Sequence, residues 1–346
     1  MNPFALSIIM SSLAIGTTIT LTSSHWMLAW IGLEINTLAM VPLMIKQHHP
    51  RATEATTKYF LTQAAASTLI LFSTLINAWT TGQWELKELS MMPSSMMTVA
   101  LMMKLGLAPM HFWLPEVLQG LNLMTGLILS TWQKIAPMAL MLMIYNTLNT
   151  HMMAILGLLS IMIGGWSGLN QTQLRKIMAY SSITHLGWMM TIMPFSPHLA
   201  TLNFSLYLIM TSAMFMMLIS LNTTKINSLT TSWTKMPALA YITMLTLLSL
   251  GGLPPTTGFM PKWLILHELT KQHISTIASM MAISALLSLF FYLRMAYALS
   301  MTQSPNPMNS TPIWRHKSKN LNIMLTMTAT MSIMMLPLTP NIMLLY

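Results

Sequence analysis

Four ionisable side chains lie inside apolar stretches of this 346-residue sequence. Glu34 is near the middle of one apolar run, and the amines of Lys104, Lys134 and Lys262 lie in three others. A charged side chain at membrane depth costs at least a few kcal/mol unless it pairs or meets water. Burial destabilises the charged form of each group, whereas a close partner of opposite charge stabilises it, so a moving proton can shift the balance. The pattern therefore predicts a proton relay of one carboxylate and three amines.

Two similar motifs interrupt the apolar runs that contain Lys104 and Lys262. Both read G-L-x-P-x5-P, and their helix-breaking residues are Gly106, Pro109 and Pro115 in the first motif and Gly252, Pro254, Pro255 and Pro261 in the second. The helix-compatible residues before each break, 94–108 and 239–253, reach only about 22 Å of a hydrocarbon core about 30 Å thick. Broken helices at corresponding positions of two halves indicate an ion or substrate path at mid-membrane.

The composition places these elements in a membrane. With 54% hydrophobic and 6% charged residues, a water-soluble fold would lack a polar surface. We predict an all-α polytopic membrane protein with a single transmembrane domain over residues 1–346. Its eleven predicted spans are 3–22, 25–45, 59–79, 94–120 (broken), 122–147, 152–170, 176–194, 199–221, 238–268 (broken), 275–299 and 322–345.

The positions of the broken spans predict an internal repeat. They are the fourth and ninth spans, and an odd separation means that the two copies cross the membrane in opposite directions. This is the inverted repeat of many transporters. The first repeat is predicted at roughly 1–150 and the second at roughly 151–300, followed by a final helix at roughly 322–345.

Basic residues then orient the predicted spans. The loops after spans 2, 6, 8 and 10 hold ten of them, namely Lys46, Arg51, Lys58, Arg175, Lys176, Lys225, Lys235, Arg315, Lys317 and Lys319. The opposite face holds only Lys87 and Lys271. By the positive-inside rule, the N-terminus is predicted on the inner side and the C-terminus on the other.

Several other classes of site find no support in the sequence. The chain has no cysteine, its ten histidines are scattered without carboxylates at ligand spacing, and Gly-rich phosphate loops are absent. The net charge of +10 is explained by topology, and basic runs with interleaved aromatics, as nucleic-acid binding requires, are missing. We therefore expect neither a metal, nor a cofactor, nor a nucleic acid on this chain.

The repeats also differ at one equivalent position. Glu116 and Lys262 each follow the last proline of their motif, at the start of a second half-helix. The positive end of a helix dipole favours a carboxylate and disfavours an ammonium. Lys104, near the end of its half-helix, gains from the negative end. This argument predicts that the Lys262 ammonium is the less stable of the two.

The chain resembles a known family over its whole length, and three segments carry the resemblance. The stretches KLGLAPMHFWLPE around Lys104, TWQKIAPM around Lys134 and SLGGLPPTTGFMPKWL leading to Lys262 are similar to the antiporter-like subunits of respiratory complex I, which are related to multisubunit cation/proton antiporters. The 41 methionines fit as well, because animal mitochondrial genomes read an otherwise-isoleucine codon as methionine.

The resemblance implies roles for individual residues. Glu34 would pair with Lys104 near an inner half-channel, Lys134 would be the central relay lysine, and Lys262 would lie toward the output. His111 in the first break and His185 in span 7 would be secondary relay stations or water anchors. Glu116 departs from the family pattern, where a small residue often follows the proline, and its role is open between function and structure.

The resemblance also implies a setting. The chain would translocate protons in the mitochondrial inner membrane, with its N-terminus on the matrix side and its C-terminus on the intermembrane-space side. NADH, FMN, iron-sulfur clusters and ubiquinone would be bound by other subunits of the complex. Partners would be neighbouring antiporter-like and other membrane-arm subunits, accessory subunits, and lipids such as cardiolipin.

Two other functions remain open from the sequence. A free-standing cation/proton antiporter is one, although sodium binding at the breaks would favour carboxylates over the lysines found there. A structural spacer that does not conduct is the other, because a buried ion pair such as Glu34 with Lys104 can serve only to fix helix packing. Each histidine could likewise do no more than satisfy backbone groups freed at a break or between helices.

Overall fold

The computed structural model describes residues 2–46, 49–234, 236–301 and 323–340. Within these ranges the regular elements are all helices, and there is no β-strand. The α-helices are α1 (Pro3–Thr22), α2 (Trp26–Ile45), α3 (Pro50–Thr81), α4 (Met91–Leu105), α5 (Trp113–Gly120), α6 (Leu123–Ser130), α7 (Trp132–Ile144), α8 (Thr150–Gly168), α9 (Leu174–Ile192), α10 (Pro197–Leu221), α11 (Ile226–Thr230), α12 (Pro237–Gly251), α13 (Phe259–Lys271), α14 (Ser275–Met301) and α15 (Ile323–Met334).

Seven segments in the described ranges are long and apolar enough to cross a membrane, which agrees with the predicted class. They are α1, α2, α3, the segment formed by α6 and α7, α8, α10 and α14. Helices α12 and α15 are apolar but shorter than 18 residues. Helix α9 has 19 residues but carries too many polar side chains to be counted among the seven. The number of eleven spans remains a prediction.

The structure describes only some of the basic residues from which the orientation was predicted. Lys235, Arg315, Lys317 and Lys319 lie outside the described residues, as does the end of the last predicted span. Four of the others lie in helices and not in loops. Arg51 and Lys58 lie in α3, which begins at Pro50, nine residues before the predicted start of its span, and Arg175 and Lys176 lie in the first turn of α9.

The chain divides into two compact units. The first comprises residues 1–160 and 190–197, and the second comprises residues 161–189 and 198–346. In the first unit α1 packs closely on α2 through two glycines. A Cβ built on Gly16 would lie 2.5 Å from Asn36 Oδ1, and one on Gly32 would lie 2.6 Å from Thr20 Cγ2. Only residues without side chains allow this approach.

Both predicted breaks are helix ends of the same type. Gly106 (φ 79°) ends α4 and Gly252 (φ 78°) ends α12, each in the left-handed conformation that glycine adopts without steric cost. The residue after each glycine donates to the carbonyl five residues earlier, at 3.0 Å in the first break and 3.4 Å in the second. These are Schellman motifs. The helices end at Leu105 and Gly251, slightly before the predicted 108 and 253, because the glycines and not the prolines terminate them.

The last proline of each motif, predicted as a helix-breaking residue, lies inside a helix. Pro115 is the third residue of α5 and Pro261 is the third residue of α13. Proline is tolerated in the first turn because its missing N–H would have no partner there. Both prolines therefore lie in the first turn of the second half-helix. Pro109 lies in the first loop, after a cis peptide bond, and Pro254 and Pro255 lie in the second.

A third interruption was not predicted. The span predicted over 122–147 is divided at Thr131 (φ −111°, ψ −70°) between α6 and α7. The Thr131 hydroxyl and amide both donate to the Leu127 carbonyl, at 2.7 and 3.0 Å. Pro137, six residues later, has no N–H to continue the helical bonding of α7. The interruption places Lys134 in the first turn of a helix and not in the middle of one.

Candidate functional site

The lysines predicted to form the relay differ in how deeply they are buried. Lys104 and Lys134 are 6% and 2% exposed, whereas Lys262 and Glu34 are half-buried. Lysine is almost never fully buried without a partner or a functional reason. The two most enclosed amines both belong to the first compact unit.

Lys104 is the next-to-last residue of α4, where the negative end of the helix dipole stabilises a cation. Its Nζ is buried and has no hydrogen-bond partner among the described residues. Lys104 therefore relies on the helix end and on longer-range charge for stabilisation.

The predicted pairing of Glu34 with Lys104 takes an indirect form. Glu34 interacts electrostatically with Lys104 and with Tyr59, but no direct ion pair joins Glu34 to Lys104 in the part of the chain that the structure describes. Glu34 Oε2 is itself buried without a hydrogen-bond partner in the part of the chain that the structure describes. The carboxylate thus acts on the Lys104 amine through space and not by contact.

A small cavity connects the surroundings of Lys104 and Lys134. Its volume, counted as space open to the centre of a water molecule, is about 20 Å³. Since one water needs roughly 10–15 Å³ by this measure, the cavity has room for one water or, at most, two. Besides the two lysines, its polar wall is formed by Asn36, Thr37, Tyr59, Gln63 and Gln133. The polar lining is the kind that holds water, because apolar cavities of this size stay dry.

Lys134 occupies the position that the dipole argument had assigned to Lys262. It is the third residue of α7, and its backbone amide donates to the Thr131 carbonyl at 3.3 Å across the interruption. The positive end of a helix destabilises an ammonium. Next to it, Gln133 Nε2 donates to the Asn36 carbonyl at 3.4 Å, which ties α7 to α2. Lys134 thus lies at the helix end whose dipole disfavours an ammonium.

Lys262 is stabilised in a way that the sequence did not indicate. Although it is the fourth residue of α13, its Nζ reaches back across the break and donates to the Gly251 carbonyl at 2.8 Å. Gly251 is the last residue of α12, whose negative end favours the ammonium. This contact opposes the helix-dipole argument, and the order in which Lys262 and Lys104 give up a proton stays a prediction.

Neither His111 nor His185 is among the residues that line the cavity. His111, 3% exposed, lies in the loop of the first break with its Nδ1 3.2 Å from the Pro109 carbonyl oxygen, so the ring satisfies a backbone group that the break freed. His185, 5% exposed, lies in α9 of the second unit with its ring centroid 5.7 Å from that of Tyr207. Their roles as relay stations remain predictions.

A charged cluster that sequence reasoning missed joins α3 to α5. Lys58 Nζ lies 2.6 Å from Glu54 Oε1 and 2.7 Å from Glu116 Oε2. The spacing of Glu54 and Lys58, four residues apart on one helix, could have indicated the first contact. The second joins residues 58 positions apart in the sequence and had no local signal. Glu116, in the first turn of α5, is thereby paired with Lys58, and its role stays open between function and structure.

Within the described ranges, no group of three or more histidine or acidic side chains is arranged to hold a metal ion.

Comparison with known proteins covers the whole chain. Residues 23–288 match the family described as NADH:quinone oxidoreductase/Mrp antiporter, TM, and residues 289–343 match NADH dehydrogenase subunit 2 C-terminus. Two proteins named NADH-ubiquinone oxidoreductase chain 2 are each 59% identical to this chain. The one from Squalus acanthias aligns over 99% of this chain and 99% of its own length, and the one from Danio rerio over 100% of this chain and 99% of its own length.

Solved structures share the fold. A chain of respiratory complex I from Thermus thermophilus superposes with a TM-score of 0.86 at 24% identity, covering 99% of this chain and 80% of that one. A chain of an archaeal membrane-bound sulfane sulfur reductase gives 0.84 at 17% identity, covering 98% and 74%. A chain of the Mrp complex from Dietzia gives 0.76 at 16% identity, covering 85% and 60%.

Proposed function

Because the chain belongs to the NADH-ubiquinone oxidoreductase chain 2 family, we propose that it carries protons across a membrane as a subunit of respiratory complex I. The energy would come from electron transfer between NADH and ubiquinone in other subunits, which would bind NADH, FMN, the iron-sulfur clusters and ubiquinone. Partners would be the neighbouring membrane-arm subunits, accessory subunits and lipids such as cardiolipin. The setting would be the mitochondrial inner membrane, with the N-terminus in the matrix.

One observation carries the proposal: Lys104 and Lys134, both almost fully enclosed, share one polar cavity with space for water. Two like charges beside one cavity repel each other at low dielectric, so the arrangement favours a single proton shared between the two amines. A water between them can pass that proton on.

Glu34 would set when the proton moves. Its carboxylate acts on Lys104 without contact, so protonating Glu34 removes a stabilising charge from the Lys104 ammonium and favours transfer toward Lys134. Lys262 would serve the second unit in the corresponding way at its own break. Matching glycine ends at both breaks support the proposed inverted repeat.

A free-standing sodium/proton antiporter is the second candidate, since the matched family includes Mrp antiporters. The described breaks hold lysines, and an ammonium near a cation site repels Na⁺. Sodium uptake driven by a proton gradient, in vesicles holding the chain alone, would favour this candidate over the first.

The test of the first candidate is Lys134→Met in the assembled complex, with Lys271→Met as its matched control, because Lys271 is 58% exposed and far along α13. We expect Lys134→Met to leave the complex assembled and NADH oxidation by a soluble acceptor intact, but to abolish the protons that this subunit moves. The measurement is the number of protons per electron in sealed vesicles. A normal ratio in Lys134→Met would refute the relay.

A further inference from the structure

Asn36 is a buried polar residue that neither the sequence motifs nor the proposed relay uses. It lies in the wall of the cavity that Lys104 and Lys134 share, and it is 2% exposed. Neither Nδ2 nor Oδ1 has a hydrogen-bond partner among the described residues. Buried side-chain amides are paired in the large majority of cases, so an unpaired one at a polar cavity indicates a bound molecule.

The packing of α1 determines which end of the amide is free to face the cavity. A Cβ on Gly16 would lie 2.5 Å from Asn36 Oδ1, so the oxygen end of the amide lies against α1. The cavity wall, as far as the structure describes it, takes no residue from α1. The NH₂ end is therefore the end left for the cavity, and it is a hydrogen-bond donor.

Lys104 presents a second donor to the same space. Its buried Nζ also has no hydrogen-bond partner within the described ranges. Two unpaired donors at one cavity need an acceptor, and the space of about 20 Å³ admits a molecule of the size of water. A water oxygen has two lone pairs, one for each donor, and its own two hydrogens remain for other groups of the wall. A metal cation is excluded because Lys104 and Lys134 would both repel it.

We propose that Asn36 holds a water molecule between Lys104 and Lys134 and is thereby a positioning residue for proton transfer between them. The inference rests on the proposed proton-carrying function. In one transfer the water oxygen gains a proton from one lysine ammonium while one of its own O–H bonds breaks toward the other amine. The water is regenerated, and one proton has moved. Asn36 does not exchange a proton; it fixes the oxygen.

The experiment compares Asn36→Leu with Thr74→Val in the assembled complex. Leucine has the same number and branching of side-chain heavy atoms as asparagine and removes the donor. Thr74 is also buried in the first unit, but it does not line the cavity, and its hydroxyl donates to the Leu71 carbonyl at 2.8 Å within α3. We expect Asn36→Leu to slow proton-coupled turnover about tenfold, since a lost hydrogen bond corresponds to a change of this order, and Thr74→Val to stay within about twofold.

A high-resolution map of the complex tests the water itself, independently of pumping. We expect a density peak within hydrogen-bonding distance of Asn36 Nδ2 and Lys104 Nζ in the unaltered protein, and its loss in Asn36→Leu. No peak in the unaltered protein, or a peak and full turnover retained in Asn36→Leu, overturns the inference. A peak that strengthens when bromide replaces chloride shows an anion and also overturns it.

A second variant tests the same water site if the complex with Asn36→Leu does not assemble. Gly16→Ala would press its Cβ against the amide oxygen and shift Asn36 without removing its donor. We expect it to weaken the same water peak. If Lys134→Met pumps normally while the peak depends on Asn36 as expected, then the relay fails and the water site stands, so the two failures are distinguishable.

Discussion

The two helix breaks have the same backbone conformation at their glycines, but the lysine near each break has different hydrogen bonding. Gly106 and Gly252 end their helices with the same left-handed geometry. At the first break, Lys104 lies before the glycine and its amine is left without a protein acceptor beside a cavity. At the second, Lys262 lies after the glycine and its amine returns to the Gly251 carbonyl. The same backbone motif is thus compatible with an amine that has no protein acceptor among the described residues, at Lys104, and with one that has an acceptor, at Lys262.

The comparison explains where each ammonium obtains its stabilisation. A helix end offers free carbonyls to any cation that reaches them, from either side of the break. Lys262 uses one directly. Lys104 is part of the helix whose end it occupies, so it gains from the dipole without a hydrogen bond to a described residue. At the first break, therefore, the amine can bind a water without giving up a hydrogen bond to a described residue.

The largest effect is expected from adding a methyl group at the glycines. Gly252→Ala would place its Cβ 3.0 Å from Lys262 Nζ and 3.1 Å from the Gly258 carbonyl oxygen, in addition to a left-handed strain of about 1–2 kcal/mol. Gly106→Ala carries the same strain, but its Cβ would meet Leu114 and Trp113 instead. We expect both to lower the melting temperature of the complex, and Gly252→Ala alone to displace its lysine. Equal losses of proton pumping in Gly252→Ala and Gly106→Ala would contradict the difference proposed between the two breaks.

The next effect concerns the lysines themselves. Lys262→Met would leave the Gly251 carbonyl without its donor, which costs about 1–3 kcal/mol in a buried setting. Lys104→Met would remove an amine that makes no hydrogen bond to a described residue, so we expect no loss of stability, although pumping should fall. Thermal unfolding of both variants of the complex measures the difference. A greater loss for Lys104→Met would contradict the assignment of the paired amine to the second break.

The smallest effect is expected at the ion pair of Lys58 with Glu116, which joins α3 to the helix that follows the first break. Glu116→Gln would weaken the contact of α5 with Lys58, which the structure places at 2.7 Å on a partly exposed surface. Exposed pairs contribute little. We expect a fall in melting temperature smaller than for either glycine variant, with faster hydrogen exchange confined to α5. Glu54→Gln is the matched control, since it removes the other contact of Lys58 and leaves α5 attached.

Sequence reasoning succeeded where the chemistry is local. Glycine in a left-handed position ends a helix wherever it occurs, so Gly106 and Gly252 were identified as breaks without knowledge of the rest of the fold. It failed at Thr131, because a threonine within an apolar run has no fixed meaning, and its hydroxyl can bond within a helix or help to interrupt one. The position of Lys134 at the start of α7 was missed for the same reason.

What this sequence determined by itself is a membrane protein with a few costly charges at depth and two glycine-ended helices. Apolar composition and backbone conformation are properties of short segments, so they can be read before folding. Only the tertiary structure decided which amine has a partner. The reach of Lys262 to Gly251, the contact of Lys58 with Glu116 and the cavity shared by Lys104 and Lys134 join groups from different helices. The free energy of a buried charge depends on those neighbours, which helix packing brings within a few ångströms.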